Sequence, residues 1–144
     1  MRALLNTAAC VLNYRWDEME LVKIGNPKEF RTYVATQRDQ GLRMYLVPLR
    51  PHQHLYYIYN DQNRIGFVDL HYQPGGDDSL VSFYYLENRF RYKFKTSELL
   101  DIFAEKARIL GSRTLLLEFS GEPDELRQAG WDVLKVRYLL QKNL

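Results

Sequence analysis

The stretch from Leu80 to Phe119 limits the folds open to this chain more than any other. Leu80 to Glu87 has the composition of a strand. Thr96 or Ser97 then caps a segment in which Leu99, Leu100, Ile102, Phe103, Ala107, Ile109 and Leu110 recur at helical spacing, and Gly111 supplies the stop. Thr114 to Phe119 follows as an apolar run broken only by Glu118, the pattern of a central strand covered on both faces. A strand, a helix and a strand of these lengths predict a right-handed crossover that leaves the two strands parallel neighbours. Leu99, Phe103, Ala107, Leu115, Leu117 and Trp131 are the expected core of this unit.

The rest of the chain reads as an antiparallel meander with helices attached. Residues 1–15 suit a short helix or a strand equally. Glu20 to Ile24 alternates polar and apolar, as a half-buried strand does, and Gly25 breaks it. Asn26, Pro27 and Glu29 make a helix start: a side-chain cap, a proline whose missing N–H costs nothing, and an acid at the positive helix end. That helix is expected to reach Gln40, with Gly41 as its left-handed stop and Phe30, Tyr33, Val34 and Gln37 on one face. Met44 to Leu49, Leu55 to Tyr59 and Arg64 to Tyr72 are strand candidates, the last two joined by turn residues Asn60 to Asn63. Gln73 to Asp78 is a loop. Pro123 to Ala129 is a short helix ended by Gly130, and Val133 to Gln141 is a final strand. The predicted class is α+β, with a central mixed sheet.

A chain of 144 residues suits one domain spanning residues 1–144, because a second core would have to be built from about half that length. A net charge of +2 gives no global electrostatic reason to expect nucleic acid as a partner. Eleven Tyr, seven Phe and two Trp imply either a strand-rich core or aromatic surface used for binding. The one cysteine, Cys10, cannot form an internal disulfide, which fits a reducing compartment. Met1 to Leu5 begins like a secretion signal, but Asn6, Thr7 and Asn13 to Arg15 interrupt it, so no membrane span is expected and the cytoplasm is the expected location.

This order of elements, the run Thr96 to Leu110 followed by Gly111 to Glu118, and the Gln128-Ala129-Gly130-Trp131 corner resemble the GNAT superfamily of acyl-CoA-dependent N-acyltransferases. The resemblance covers about residues 55–144, and residues 20–54 by element order alone. It implies a sheet in which the meander is followed by a strand–helix–strand crossover and a C-terminal strand. It also implies acetyl-CoA or another acyl-CoA as ligand, an amine as acceptor, and homodimers as a common assembly. In that family the loop after the fourth strand and the start of the central helix cradle the pyrophosphate, where unpaired N–H groups and the helix dipole favour an anion. Here that region is Asn88 to Thr96, and the resemblance points to Leu86, Arg91, Lys93, Lys95, Thr96 and Ser97 as coenzyme-binding residues. The loop is degenerate. With Arg91 at the family's first basic position, Phe94 and Thr96 stand where glycine or another small residue is expected, and Leu126 stands where a general-acid Tyr is often found.

Other readings of the same residues remain open. Arg89 to Lys95 alternates basic and aromatic, which also suits an amphipathic strand with Phe90, Tyr92 and Phe94 on the core, or a surface that stacks bases. In a single strand the charges and the rings face opposite ways, which disfavours the nucleic-acid version. Glu87 and Glu118 are candidate general bases at strand ends, against a simpler role as exposed or capping acids. His52, His54 and His71 lack accompanying ligands at metal spacing. Tyr56, Tyr57, Tyr59, Tyr72, Tyr84 and Tyr85 read as cross-strand packing. Two functions follow: an acyl-CoA-binding protein that transfers an acyl group to an amine, or a non-catalytic interaction module of the same fold that binds a protein partner.

Overall fold

The computed structural model describes residues 18–46, 54–72, 75–134 and 140–143. Its described strands form one five-stranded sheet in sequential order: β1 (Met19–Lys23), β2 (Leu55–Asn60), β3 (Asn63–Tyr72), β4 (Asp78–Leu86) and β5 (Thr114–Leu117). The first four are antiparallel neighbours, and β5 lies parallel to β4. This is the expected crossover. A 14-residue helix, α2 (Thr96–Ile109), carries the chain between the two parallel strands, and Gly111 ends it at a φ of 101°. The other helices are α1 (Pro27–Thr36) and α3 (Asp124–Gln128).

Two apolar layers sandwich the sheet. On one face α2 places Leu99, Leu100 and Phe103 against Ile58, Val68, Leu70 and Val81. On the other, α1 places Phe30, Tyr33 and Val34 against Tyr57, Phe67 and Tyr85. Most of the aromatic residues belong here. Phe30 meets Phe67 edge-on at 5.0 Å, and Tyr45 meets Phe67 at 5.1 Å, geometries that ring quadrupoles favour. Leu99, Phe103 and Ala107 are buried as the helical spacing predicts. Leu115, Leu117 and Trp131 are half-buried.

Several expectations are corrected. The helix begun by Asn26, whose side chain accepts from the Lys28 and Glu29 N–H groups, stops at Thr36 instead of Gln40. Arg38 takes the left-handed conformation (φ 54°) that had been assigned to Gly41. Gln40–Leu46 is a 3₁₀ helix that buries Leu42 and Tyr45 three residues apart, one turn of that helix, so Met44 to Leu46 are not in a strand. Residues 47–49 lie outside the described residues, as do residues 1–15, His52 and most of the expected final strand at 133–141. Lys95, rather than Thr96 or Ser97, is the N-cap of α2, and its N–H donates to Glu98 Oε2 at 3.3 Å. β5 is half-buried rather than enclosed.

Two irregularities shape β3 and β4. Gly66 lies so close to β4 that a Cβ there would sit 1.9 Å from the Tyr85 carbonyl oxygen, which only glycine permits. The register also shifts between Asp69 and Leu70, which face Phe83 and Val81, and Ser82 is left as a bulge in β4. A bulge bends its strand and increases its twist. β4 bends just where its other neighbour ends.

Candidate functional site

β5 pairs with β4 only from Asp78 to Val81, whereas β4 continues to Leu86. Among the described residues the far half of β4 therefore has no partner on that side. Its alternate backbone groups point away from β3 into a gap. Phe83, Tyr84, Tyr85 and Leu86 form one wall of a cleft of about 420 Å³; Phe94, Lys95, Thr96 and Leu99 form the second. Asp39, Gly41 and Leu42 close a third side, with Arg91 at the rim.

The segment after β4 is not a strand. Asn88–Phe90 is a 3₁₀ turn and further turns lead to α2, so the amphipathic-strand reading of Arg89 to Lys95 is overturned. Phe90 and Phe94, four residues apart, turn inward onto the α2-side core, while Tyr92 between them is 94% exposed. The turns let the chain reverse within a few residues and bring the start of α2 beside the end of β4. The first N–H groups of a helix have no partner within the helix, so the Thr96 end offers donors that the helix ladder does not use and the positive dipole end.

The eight residues singled out from the sequence divide evenly. Leu86, Arg91, Lys95 and Thr96 line the cleft; Glu87, Lys93, Ser97 and Glu118 do not. Arg91 is already engaged: its Nε donates to the Leu86 carbonyl at 3.0 Å, and Nη2 lies 3.5 Å from Asp39 Oδ2. Lys93 is exposed, and the Ser97 hydroxyl donates to Glu125 Oε1 at 3.4 Å. Glu118 follows β5 and is exposed. Glu87 directs its carboxylate toward α1, where Oε2 accepts from the Tyr33 hydroxyl at 2.7 Å and Oε1 lies 3.3 Å from Arg89. Burial, then this bond to Glu87, pushes the Tyr33 pKa well up, so the phenol keeps its proton and remains a donor.

Other residues that shape the site were read from the sequence as packing and not as site residues. Tyr85 donates to Gln37 Oε1 at 3.0 Å, holding the end of α1 against the cleft wall. Tyr84 is half-buried in that wall, and burial raises its pKa, so its phenolic proton stays on Oη at neutral pH. The Arg64 guanidinium lies over the rings of Tyr33 and Tyr57, 4.1 and 4.8 Å from their centres, and pairs with Glu29 at 3.3 Å. The only sequence signal for these was the excess of Tyr, which does not say which rings carry polar work. Elsewhere, among the described residues, no group of three or more His, Cys, Asp and Glu side chains could hold a metal ion, and no helix is long and apolar enough to cross a membrane.

Comparison with known proteins agrees with this fold. No family model matches the chain, and no curated protein sequence matches it. Solved structures do. YycN from Bacillus subtilis, itself assigned only provisionally as an acetyltransferase, is 19% identical with a TM-score of 0.61, over 88% of this chain and 98% of YycN. The ribosomal-protein-alanine N-acetyltransferase of Brucella melitensis biovar Abortus 2308 is 20% identical with a TM-score of 0.54, over 87% of this chain and 98% of the enzyme. The aminoglycoside N-acetyltransferase AAC(6')-Iy, solved in complex with CoA, is 15% identical with a TM-score of 0.54, over 88% of this chain and 95% of the enzyme. At these identities the likeness is one of fold, and the fold is that of the GNAT acetyltransferases.

Proposed function

We propose that the chain binds an acyl-CoA in the cleft between β4 and the start of α2 and transfers its acyl group to an amine. The observation that carries this reading is the end of β4. Past Val81 it runs on to Leu86 without a described partner on the side away from β3, beside the donor-rich end of a 14-residue helix. The donor set suits such a ligand. Strand backbone facing a gap can pair with the amide groups of an extended arm, as an added strand would. The Lys95 side chain and the first N–H groups of α2 suit a phosphate. The ligand supplies a thioester whose carbonyl an amine can attack.

The chain's own residues then orient and handle protons. Backbone N–H groups of β4 hold a carbonyl oxygen, and fixed donors of this kind stabilise developing negative charge without reorganising. In this reading Tyr84, which lines the cleft, gives its phenolic proton to the leaving group. On the same reading Glu87, next to Leu86 of the cleft wall and held by Tyr33 and Arg89, takes a proton from an incoming ammonium through water. The described elements share one sheet, which supports reading residues 1–144 as one unit of this kind.

One observation favours the second reading, a non-catalytic module that binds a protein partner. Phe94 is buried where a small residue would let the backbone approach a phosphate, and Arg91 is committed to Leu86 and Asp39. Two substitutions separate the readings. Lys95→Ala removes an exposed ammonium at the helix start and should weaken coenzyme A binding about tenfold at low salt, with a smaller effect at high salt, and leave the melting temperature unchanged. Arg91→Ala removes a tether as well, so it should lower both binding and melting temperature. Calorimetry in which Lys95→Ala binds coenzyme A as the wild type does would remove the helix start from the site.

A further inference from the structure

β1 is one edge of the described sheet, separated from β4 and its cleft by β2 and β3. Its last residue, Lys23, lies opposite Tyr56 of β2, and the Lys23 ammonium stands 5.0 Å from the centre of the Tyr56 ring. A second ammonium, from Lys106 in the last turn of α2, stands 5.2 Å from the same ring centre. Lys23 Nζ is also 3.5 Å from His54 Nδ1, just before β2. Among the described residues neither lysine is ion-paired to a carboxylate. Two ammonium groups share one ring, an imidazole stands beside one of them, and among the described residues no salt bridge offsets either charge. Such surroundings favour a lysine as a nucleophile.

We propose that Lys23 is an acylation site, its amine taking an acyl group from a small activated donor, a thioester or an acyl phosphate, with His54 as the proton acceptor. The ammonium first gives one proton to solvent. Nζ then attacks the donor's carbonyl carbon, and an N–C bond forms. The C–S or C–O bond to the leaving group breaks, and its electron pair departs with the thiolate or phosphate. The nitrogen, now acidic, passes its second proton to His54 Nδ1 and is left as a neutral amide. Lys23 is exposed, so a donor in solution can reach it without entering the cleft.

The electrostatics of the cluster run the same way. Burial, and then repulsion from Lys106, lower the Lys23 pKa, so more of it is free amine at a given pH. Burial lowers that of His54 too, followed by Lys23 and His71, while Asp69 opposes them. In its Nε2–H tautomer, neutral His54 offers Nδ1 as the acceptor. Tyr56 also faces the amine, and its own pKa is raised by burial, so it adds no charge near neutrality.

The test uses the full chain incubated separately with acetyl phosphate and with acetyl-CoA, and acetylation at each lysine quantified by mass spectrometry from neutral to alkaline pH. Lys23 should be modified about threefold or more faster than the exposed Lys28 and Lys142 by either donor, with half-maximal rate at a lower pH. His54→Ala should slow Lys23 about threefold and leave Lys28 unchanged. Lys106→Met should move the Lys23 profile to higher pH. Lys23 modified no faster than Lys28, or unaffected by both substitutions in proteins with wild-type melting temperatures, overturns the proposal. Modification by acetyl-CoA but not by acetyl phosphate also overturns it, because it would trace the reaction to a bound coenzyme instead of to the lysine's surroundings.

Discussion

Replacing Phe103 by Ala should lower the unfolding free energy by about 3–5 kcal/mol. The side chain is fully buried, with 0% exposure, at the middle of α2. It packs in the core with Leu99, Leu100, Val68 and Val81, and its ring centre lies 5.6 Å from that of Tyr84. Truncation removes the ring's contacts and leaves a cavity that helix and sheet cannot both close on, since each is held by its other neighbours. Denaturant unfolding at constant slope should show the loss as a lower midpoint. The change reaches the site too, because α2 carries Lys95 and Thr96 to the cleft and Tyr84 lines it. A loss under about 1 kcal/mol, the level of surface changes, would mean that α2 does not pack on this face.

Phe94→Gly is the second large effect, and it bears on function. Phe94 is 9% exposed and belongs to the same core, yet it also lines the cleft one residue before the α2 cap. Losing the ring should cost roughly 2–4 kcal/mol, less than at Phe103 because one side is already open, and glycine's freedom in the unfolded chain adds up to about 1 kcal/mol. Coenzyme A binding should weaken alongside, since the ring anchors the turns that set the helix start against β4. Unchanged stability with tighter coenzyme binding would contradict this and show that the ring merely blocks the approach to a phosphate.

The parts of the fold that were legible in the sequence are those set by local pattern. The spacing from Leu99 to Leu110 marked α2, and Gly111 marked its end because the chain there needs a positive φ. The runs Leu55 to Tyr59 and Arg64 to Tyr72 flank the turn residues Asn60 to Asn63; they became β2 and β3, which take in Asn60 and Asn63 and leave Asp61 and Gln62 as the turn. The illegible parts depend on tertiary partners. Arg38 ends α1 in a conformation that nothing in its identity requires. The alternation from Arg89 to Lys95 has a strand's period, but burial there follows Phe90 and Phe94 onto the α2-side core instead. The cleft itself comes from a mismatch of strand lengths, β4 running five residues past its last pair with β5, which two separate apolar runs cannot reveal. Glu87 was legible as an acid at a strand end. Its fixation by Tyr33, 54 residues earlier, was not.

If the cleft between β4 and α2 holds an acyl-CoA, the backbone of its walls must sense the ligand. Titrating the full-length wild-type protein with acetyl-CoA, followed by backbone amide resonances, tests that directly. Saturable shifts should appear at Phe83 to Glu87 and at Lys95 to Glu98 and weaken as salt is raised. Amides of both segments unmoved at millimolar acetyl-CoA and low salt would contradict acyl-CoA binding and leave the protein-binding module as the reading of this fold.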